Sequence, residues 1–254
     1  MARTPIITGN WKMNTLRSEA IALARGIVER CDAMAGVEKI VCPPYVYLHD
    51  VQDALDGSSV RLAAQNVYWD EKGAFTGEIS VTQIAEVAEY VLIGHSERRQ
   101  FFGETDETVN RRTKAALAHG LKPIVCVGET LDQRQGGETN DVLVRQTHAG
   151  LAGVEVGADF VIAYEPVWAI GTGLAADGAT AEEAIALIRH TVGQIAGAVA
   201  DDVRILYGGS VTPDNVAEFM GQPDIDGGLV GGASLKADSF AAMVEATADV
   251  YARA

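Results

Sequence analysis

The sequence predicts an α/β fold, a single (β/α)8 barrel spanning residues 1–254, and three observations carry that expectation. Short apolar runs recur along the whole chain, each run gives way to polar or glycine residues and then to a segment of helical periodicity, and the alternation repeats about eight times. Strands alternating with helices imply a parallel sheet with right-handed crossovers. About eight such units in a chain of this length is the number that closes a barrel.

The apolar runs fall at 5–8, 39–42, 60–64, 90–93, 122–127, 160–164, 204–207 and 227–230. Each reads as a strand buried on both faces. Amphipathic helices are expected at 18–34, 104–119, 180–198 and 237–251, with weaker ones between the other strands. Thr105 with Thr108, and Asp238 with Ala241, put small polar caps near two helix starts. No Pro/Ser-rich linker or block of charge divides the chain. A doubly wound open sheet is the alternative, but its dinucleotide-binding form wants GxGxxG after the first strand, where this chain has Gly9-Asn10-Trp11-Lys12. GxxxxGK[ST] is absent as well.

Composition narrows the function. With 48% hydrophobic residues, the chain can bury a large core. The formal charge of -15 excludes duplex nucleic acid and anionic membrane as natural partners, because both would repel the average surface. A small anionic substrate is compatible only with a locally positive pocket. Cys31, Cys42 and Cys126 are odd in number and form no CxxC, which argues against a disulfide framework or zinc ribbon and for a reducing cytoplasm. No leader-like or membrane-spanning stretch is read.

In such a barrel the chemistry gathers at the C-terminal ends of the strands. Those ends deliver Asn10 and Lys12, Gln65 and Asn66, His95 and Glu97, Glu129, Glu165, Gly208-Gly209-Ser210, and Gly231-Gly232. Glu165 emerges from the buried run 160–164, followed by Pro166 and, further on, Gly171 and Gly173. A proline that keeps Glu165 out of the helical region and glycines at the far end read as a hinged loop. Closure of that loop over the carboxylate is expected to raise its pKa, as suits a general base. Taken alone, Glu165 equally reads as an acid complementing a helix dipole. The glycine turns after the seventh and eighth strands, with Ser210, form an anion nest suited to phosphate. His95-Ser96-Glu97 matches the HxE of zinc deaminases but lacks the PCxxC partner, so neither a metal nor a cofactor is expected.

The motifs Gly9-Asn10-Trp11-Lys12-Met13-Asn14, Ala64-Gln65-Asn66-Val67, Gly73-Ala74-Phe75-Thr76-Gly77-Glu78, Gly94-His95-Ser96-Glu97-Arg98-Arg99, Cys126-Val127-Gly128-Glu129-Thr130, the run 163–173, Tyr207-Gly208-Gly209-Ser210-Val211 and Leu229-Val230-Gly231-Gly232-Ala233-Ser234-Leu235 resemble those of the triosephosphate isomerase family, in order and from end to end. The resemblance implies interconversion of dihydroxyacetone phosphate and D-glyceraldehyde 3-phosphate through an enediolate, in glycolysis and gluconeogenesis. It implies Glu165 as the base, a neutral His95 as proton donor, and Lys12 with Asn10 as electrostatic stabilisers, Glu97 orienting Lys12. Phosphate would be held by the N–H groups of Gly171, Ser210, Gly231 and Gly232. Pro166, Val167, Trp168, Ala169, Ile170, Gly171, Thr172 and Gly173 would form the lid and its hinges, with Ile170 and Leu229 shielding the base from water and Tyr207 and Ser210 holding the closed form. A homodimer is implied, in which the loop carrying Phe75 and Thr76 enters the neighbouring subunit beside Asn10, Lys12 and Glu97.

Two positions depart from the family pattern. The stretch 174–180 is longer than usual after Gly173, which bears on the second hinge, and Gly228 stands where a bulky apolar residue is common. Two other functions fit parts of the same pattern. Lys12 could serve a Schiff-base aldolase, which borohydride would trap covalently. A phosphate-binding dimer without catalysis would have no need of Glu165, His95 and Lys12 together.

Overall fold

Inward and outward side chains alternate along each apolar run, and that alternation turns the eight runs into a ring with helices outside it. In the computed structural model, which describes residues 3–170 and 176–253, the strands are β1 (Ile6–Asn10), β2 (Glu38–Cys42), β3 (Val60–Ala64), β4 (Tyr90–Ile93), β5 (Lys122–Val127), β6 (Val161–Tyr164), β7 (Arg204–Tyr207) and β8 (Gly227–Val230). They pair in parallel in sequence order and close, β8 returning to β1 with Ile6 opposite Gly227. One cluster of buried residues consists only of strand residues and draws on all eight strands, from Ile6, Ile40 and Ala63 to Tyr90, Ile124, Val161, Leu206 and Leu229. It fills the barrel. The alternate residues, among them Ile7, Val41, Val91, Val125, Ile162 and Ile205, belong to the larger cluster shared with the helices.

The helices are α1 (Arg17–Cys31), α2 (Leu48–Leu55), α3 (Val81–Ala85), α4 (Ser96–Phe102), α5 (Asp106–Ala118), α6 (Leu131–Gln135), α7 (Thr139–Leu151), α8 (Gly178–Ala196), α9 (Val216–Met220) and α10 (Ala237–Tyr251). Thr105 caps α5 as expected, accepting the Thr108 N–H. Three sequence expectations are corrected. β1 runs on to Asn10 because Gly9 and Asn10 pair in register with Val41 and Cys42, so a polar residue ends the strand at the rim. α8 begins at Gly178 rather than 180, since the Asp177 carboxylate accepts the Thr180 N–H at 2.7 Å. Asp238 is not a cap: α10 starts behind Lys236, and Asp238 lies in its first turn, paired with Arg30. Among the described residues no helix is long and apolar enough to cross a membrane.

The two glycines that open β8 differ physically. Gly227 has φ +142°, and a Cβ there would lie 1.9 Å from the Ile6 carbonyl oxygen at the barrel seam. A Cβ on Gly228 would make ordinary contacts, 3.5 Å from Val230 and 3.7 Å from Ile7. Glycine inside a strand is destabilising by about 0.5–1 kcal/mol relative to alanine. Gly228→Ala is therefore expected to raise the thermal midpoint by about 1–4 °C, while Gly227→Ala should lower it sharply or prevent folding. A calorimetric scan in which both variants shift the same way would contradict this account of the seam.

Candidate active site

The C-terminal rim gathers its groups because glycines let the backbone approach closely there. Gly94, at the end of β4, has φ +72°, and a Cβ on it would meet Val109 at 2.6 Å. This turn makes His95 the N-cap of α4. After β5, a Cβ on Gly128 would lie 1.7 Å from the Glu165 carbonyl oxygen, and after β7 one on Gly208 would lie 2.9 Å from Glu165 Cγ. Bare backbone on both sides gives Glu165 its position.

Glu165 is 2% exposed and surrounded by donors. Its Oε2 accepts the Ser96 backbone N–H at 2.9 Å, and its Oε1 lies 3.3 Å from the Ser96 hydroxyl and 2.9 Å from His95 Nε2. Nδ1 of His95 accepts the Glu97 N–H at 3.2 Å, which leaves Nε2 to carry the ring proton of the neutral imidazole. Burial acts to raise the Glu165 pKa, but in the acid range where a carboxyl titrates the His95 ring is protonated, and its charge and hydrogen bond, with the Ser96 N–H, outweigh burial and hold the carboxyl below its ordinary range. The raised value expected from the sequence is thus not found in this arrangement, because these donors replace the water that burial removes. Burial also acts to lower the His95 pKa, yet the Glu165 carboxylate outweighs it and draws it upward.

Lys12 follows β1 with φ +51°, an uncommon conformation for a residue with a side chain. Its N–H donates to Asn10 Oδ1 at 3.0 Å, and Gln65 Nε2 donates both to the Lys12 carbonyl at 2.8 Å and to the Cys42 carbonyl at 2.9 Å. Gln65 is thus a brace beneath Lys12. The ammonium pairs with Glu97 Oε1 at 2.7 Å and lies beside Gly231, where a Cβ would be 3.8 Å from Nζ. The turn after β8 is tied by Ser234, whose N–H and hydroxyl both donate to the Gly231 carbonyl. Gly9 lets β1 pass that turn: a Cβ there would be 2.9 Å from Ser234 Cβ.

A cleft of about 250 Å³ joins these parts, with Asn10, Lys12, His95, Glu165, Ile170, Leu229, Gly208, Gly209, Ser210, Gly231 and Gly232 on its walls. Val211, Thr212 and Ala233 complete it; Ala233 opens the segment expected to supply a helix start beside the phosphate turn, whereas Val211 and Thr212 carry no sequence-based role in the site. Ser96 was also missed. Its only signal was its place at the first turn of a helix, where backbone N–H groups lack helical partners. Glu129 is at the rim but turned from the cleft, fully buried, with Oε1 accepting from Trp168 Nε1 at 2.8 Å and Tyr164 OH at 3.1 Å. Of the lid, Pro166 precedes a short 3-10 turn, Val167–Ala169, and Ile170 reaches the cleft. Gly171, Thr172 and Gly173, with the second hinge, lie outside the described residues. Phe75 and Thr76 are exposed, the Phe75 ring 4.6 Å from that of Tyr68.

A family model described as Triosephosphate isomerase matches residues 5–247. Curated relatives named triosephosphate isomerase include those of Moorella thermoacetica, 52% identical over 95% of this chain and 98% of the relative, and Dehalococcoides mccartyi, 52% identical over 98% and 99%. The protein of that name from Caldanaerobacter subterraneus is 53% identical over 95% of this chain and 99% of its own length.

The balance at Glu165 has a measurable sign. Its lowered pKa means that it stabilises the fold above the ordinary carboxyl value of 4.5 and loses that contribution as pH falls through its own value. In His95→Asn the imidazole partner is gone while burial remains, so the Glu165 pKa should rise. Carbon NMR titration of the glutamate carboxyls checks this, and an unchanged Glu165 midpoint would contradict it.

Proposed function

The chain belongs to the triosephosphate isomerase family, and from that membership we propose that Glu165 is the base, His95 the proton donor, and Lys12 with Asn10 the electrostatic anchor of its reaction. The protein is an isomerase of glycolysis that interconverts dihydroxyacetone phosphate and D-glyceraldehyde 3-phosphate. The observation that carries the residue assignment is the convergence of a buried carboxylate, an imidazole with a single N–H and an ammonium on one cleft.

Glu165 takes the proton from the carbon next to the carbonyl while His95 Nε2 donates to the carbonyl oxygen, which gives the enediolate. His95 then carries the hydroxyl proton of the enediolate from one oxygen to the other, and the same carboxyl returns its proton to the neighbouring carbon. To reach substrate, the carboxylate leaves the Ser96 N–H that it accepts at rest. Leaving removes a contact that lowers its pKa while burial, which raises it, persists. Departure from Ser96 therefore strengthens the base. Lys12 supplies positive charge to the phosphate and the developing oxyanion, with Glu97 orienting it at 2.7 Å. Ser210, Gly231 and Gly232 hold the phosphate by their N–H groups, and Gly171 adds another. This local charge pattern admits a dianion to a protein of charge -15. Ile170 and Leu229, both on the cleft wall, exclude water above the base.

We read the working form as a cytoplasmic homodimer. Met13, beside Lys12, is 95% exposed, and Val46, Phe75, Phe101 and Phe102 are also exposed apolar residues. A partner covering these side chains would remove them from water and steady the loop that bears Lys12. Sedimentation should give twice the chain mass, and a monomer that isomerises at full rate would contradict the reading.

Glu165→Asp sets the carboxylate back by one methylene, and a displacement of about 1 Å is expected to lower kcat by about a hundredfold or more with KM little changed. Steady-state kinetics with kcat unchanged would refute the assignment of the base. Lys12→Ala should weaken affinity for a phosphate-bearing inhibitor and turnover together, and normal inhibitor affinity would refute the role of the lysine.

A further inference from the structure

We propose that Glu218 is a positioning residue for the phosphate side of the site, acting through α9. Its Oε1 accepts the Gly178 N–H at 2.6 Å, and that group is among the first N–H groups of α8, which have no partner within the helix. A Cβ on Gly178 would lie 3.1 Å from Glu218 Cγ and 2.9 Å from Gln222 Nε2, so a glycine is what lets the carboxylate settle over this helix start.

The next residue packs against β7. Phe219 stacks on Tyr207 with ring centroids 4.2 Å apart and planes inclined by 20°. The Tyr207 hydroxyl in turn lies beneath Gly209, where a Cβ would be 2.2 Å from it. Asn215, just before α9, is tied to the same turn: its Nδ2 donates to the Ser210 carbonyl at 3.0 Å and its Oδ1 accepts the Thr212 N–H at 2.8 Å. This five-residue helix, with Val216, Phe219 and Met220 buried, is thus tied on one side to α8 and on the other to the turn Gly208-Gly209-Ser210. Without the Glu218 bond, α9 loses its tie to the start of α8, and the turn that Asn215 and Phe219 hold is less firmly placed.

The carboxylate suits this task, since it accepts a charge-assisted hydrogen bond at the positive end of a 19-residue helix. The proposal rests on the reading that the turn after β7 holds phosphate.

Inorganic phosphate as a competitive inhibitor, together with steady-state kinetics, tests both. Loss of one charge-assisted bond should make Glu218→Ala raise the phosphate inhibition constant and KM by about fivefold, with kcat within about twofold of the parent. Glu218→Gln, whose amide oxygen still accepts the Gly178 N–H, should restore both constants to within about twofold. Asp177→Ala removes the cap of the same helix without touching α9, so it should lower the thermal midpoint and leave phosphate inhibition unchanged. An unchanged inhibition constant in Glu218→Ala, or an equal rise in Asp177→Ala, would overturn the proposal. A parent protein that phosphate does not inhibit would overturn the phosphate reading itself, and this inference with it.

Discussion

A carboxylate with almost no access to water sits at the centre of this structure, and it is tolerable there only because a ring N–H, a backbone N–H and a hydroxyl stand around it. Those donors belong to residues 95 and 96, and the carboxylate to residue 165. Only a ring that puts the ends of β4 and β6 on one rim can bring them together. The glycines follow from the same need: Gly94 turns the chain so that His95 begins a helix, and Gly128 and Gly208 clear the backbone on either side of Glu165. Fold and chemistry are joined at this point. A side chain added at any of the three would displace the carboxylate from its donors or His95 from its place.

The same arrangement bears on the role proposed for Glu165 as a base. At rest its partners keep it ionised, below the ordinary carboxyl range. In the proposed reaction a substrate that draws it from Ser96 removes one of the contacts that lower its pKa, while burial, which favours the protonated acid, persists. On the opposite wall the groups are of another kind. Lys12, held in a left-handed conformation by Gln65 and Asn10, brings its ammonium beside the Gly231 turn. That charge, with the backbone N–H groups around it, suits a phosphate dianion.

Much of the fold was legible because the sequence punctuates its strands. The runs 60–64, 90–93, 122–127, 204–207 and 227–230 coincide with β3, β4, β5, β7 and β8, since charged, glycine or small polar residues stop the apolar pattern where pairing also stops. β1 was cut short because Gly9 and Asn10 look like a turn, although the neighbouring strand holds their backbone in register. The start of α8 was missed because Asp177-Gly178 reads as a turn, whereas an aspartate cap and Glu218 from another helix supply the hydrogen bonds that a helix end lacks. The site residues were legible as types at strand ends. Their pairing was not: Ser96 and Glu165 are 69 positions apart, and only closure of the barrel decides that one donates to the other. The direction of the Glu165 shift was likewise hidden, since it is set by partners and not by the residue.

Glu165 is proposed to move a proton between carbon and its own carboxyl, and hydrogen isotope exchange tests this most directly. Proton NMR of dihydroxyacetone phosphate in heavy water with the parent protein should show loss of the signal from the carbon that bears the exchangeable hydrogen. Glu165→Gln, which keeps the shape and removes the base, should lose this wash-in together with isomerisation. Wash-in at the parent's rate in the glutamine variant would contradict the account.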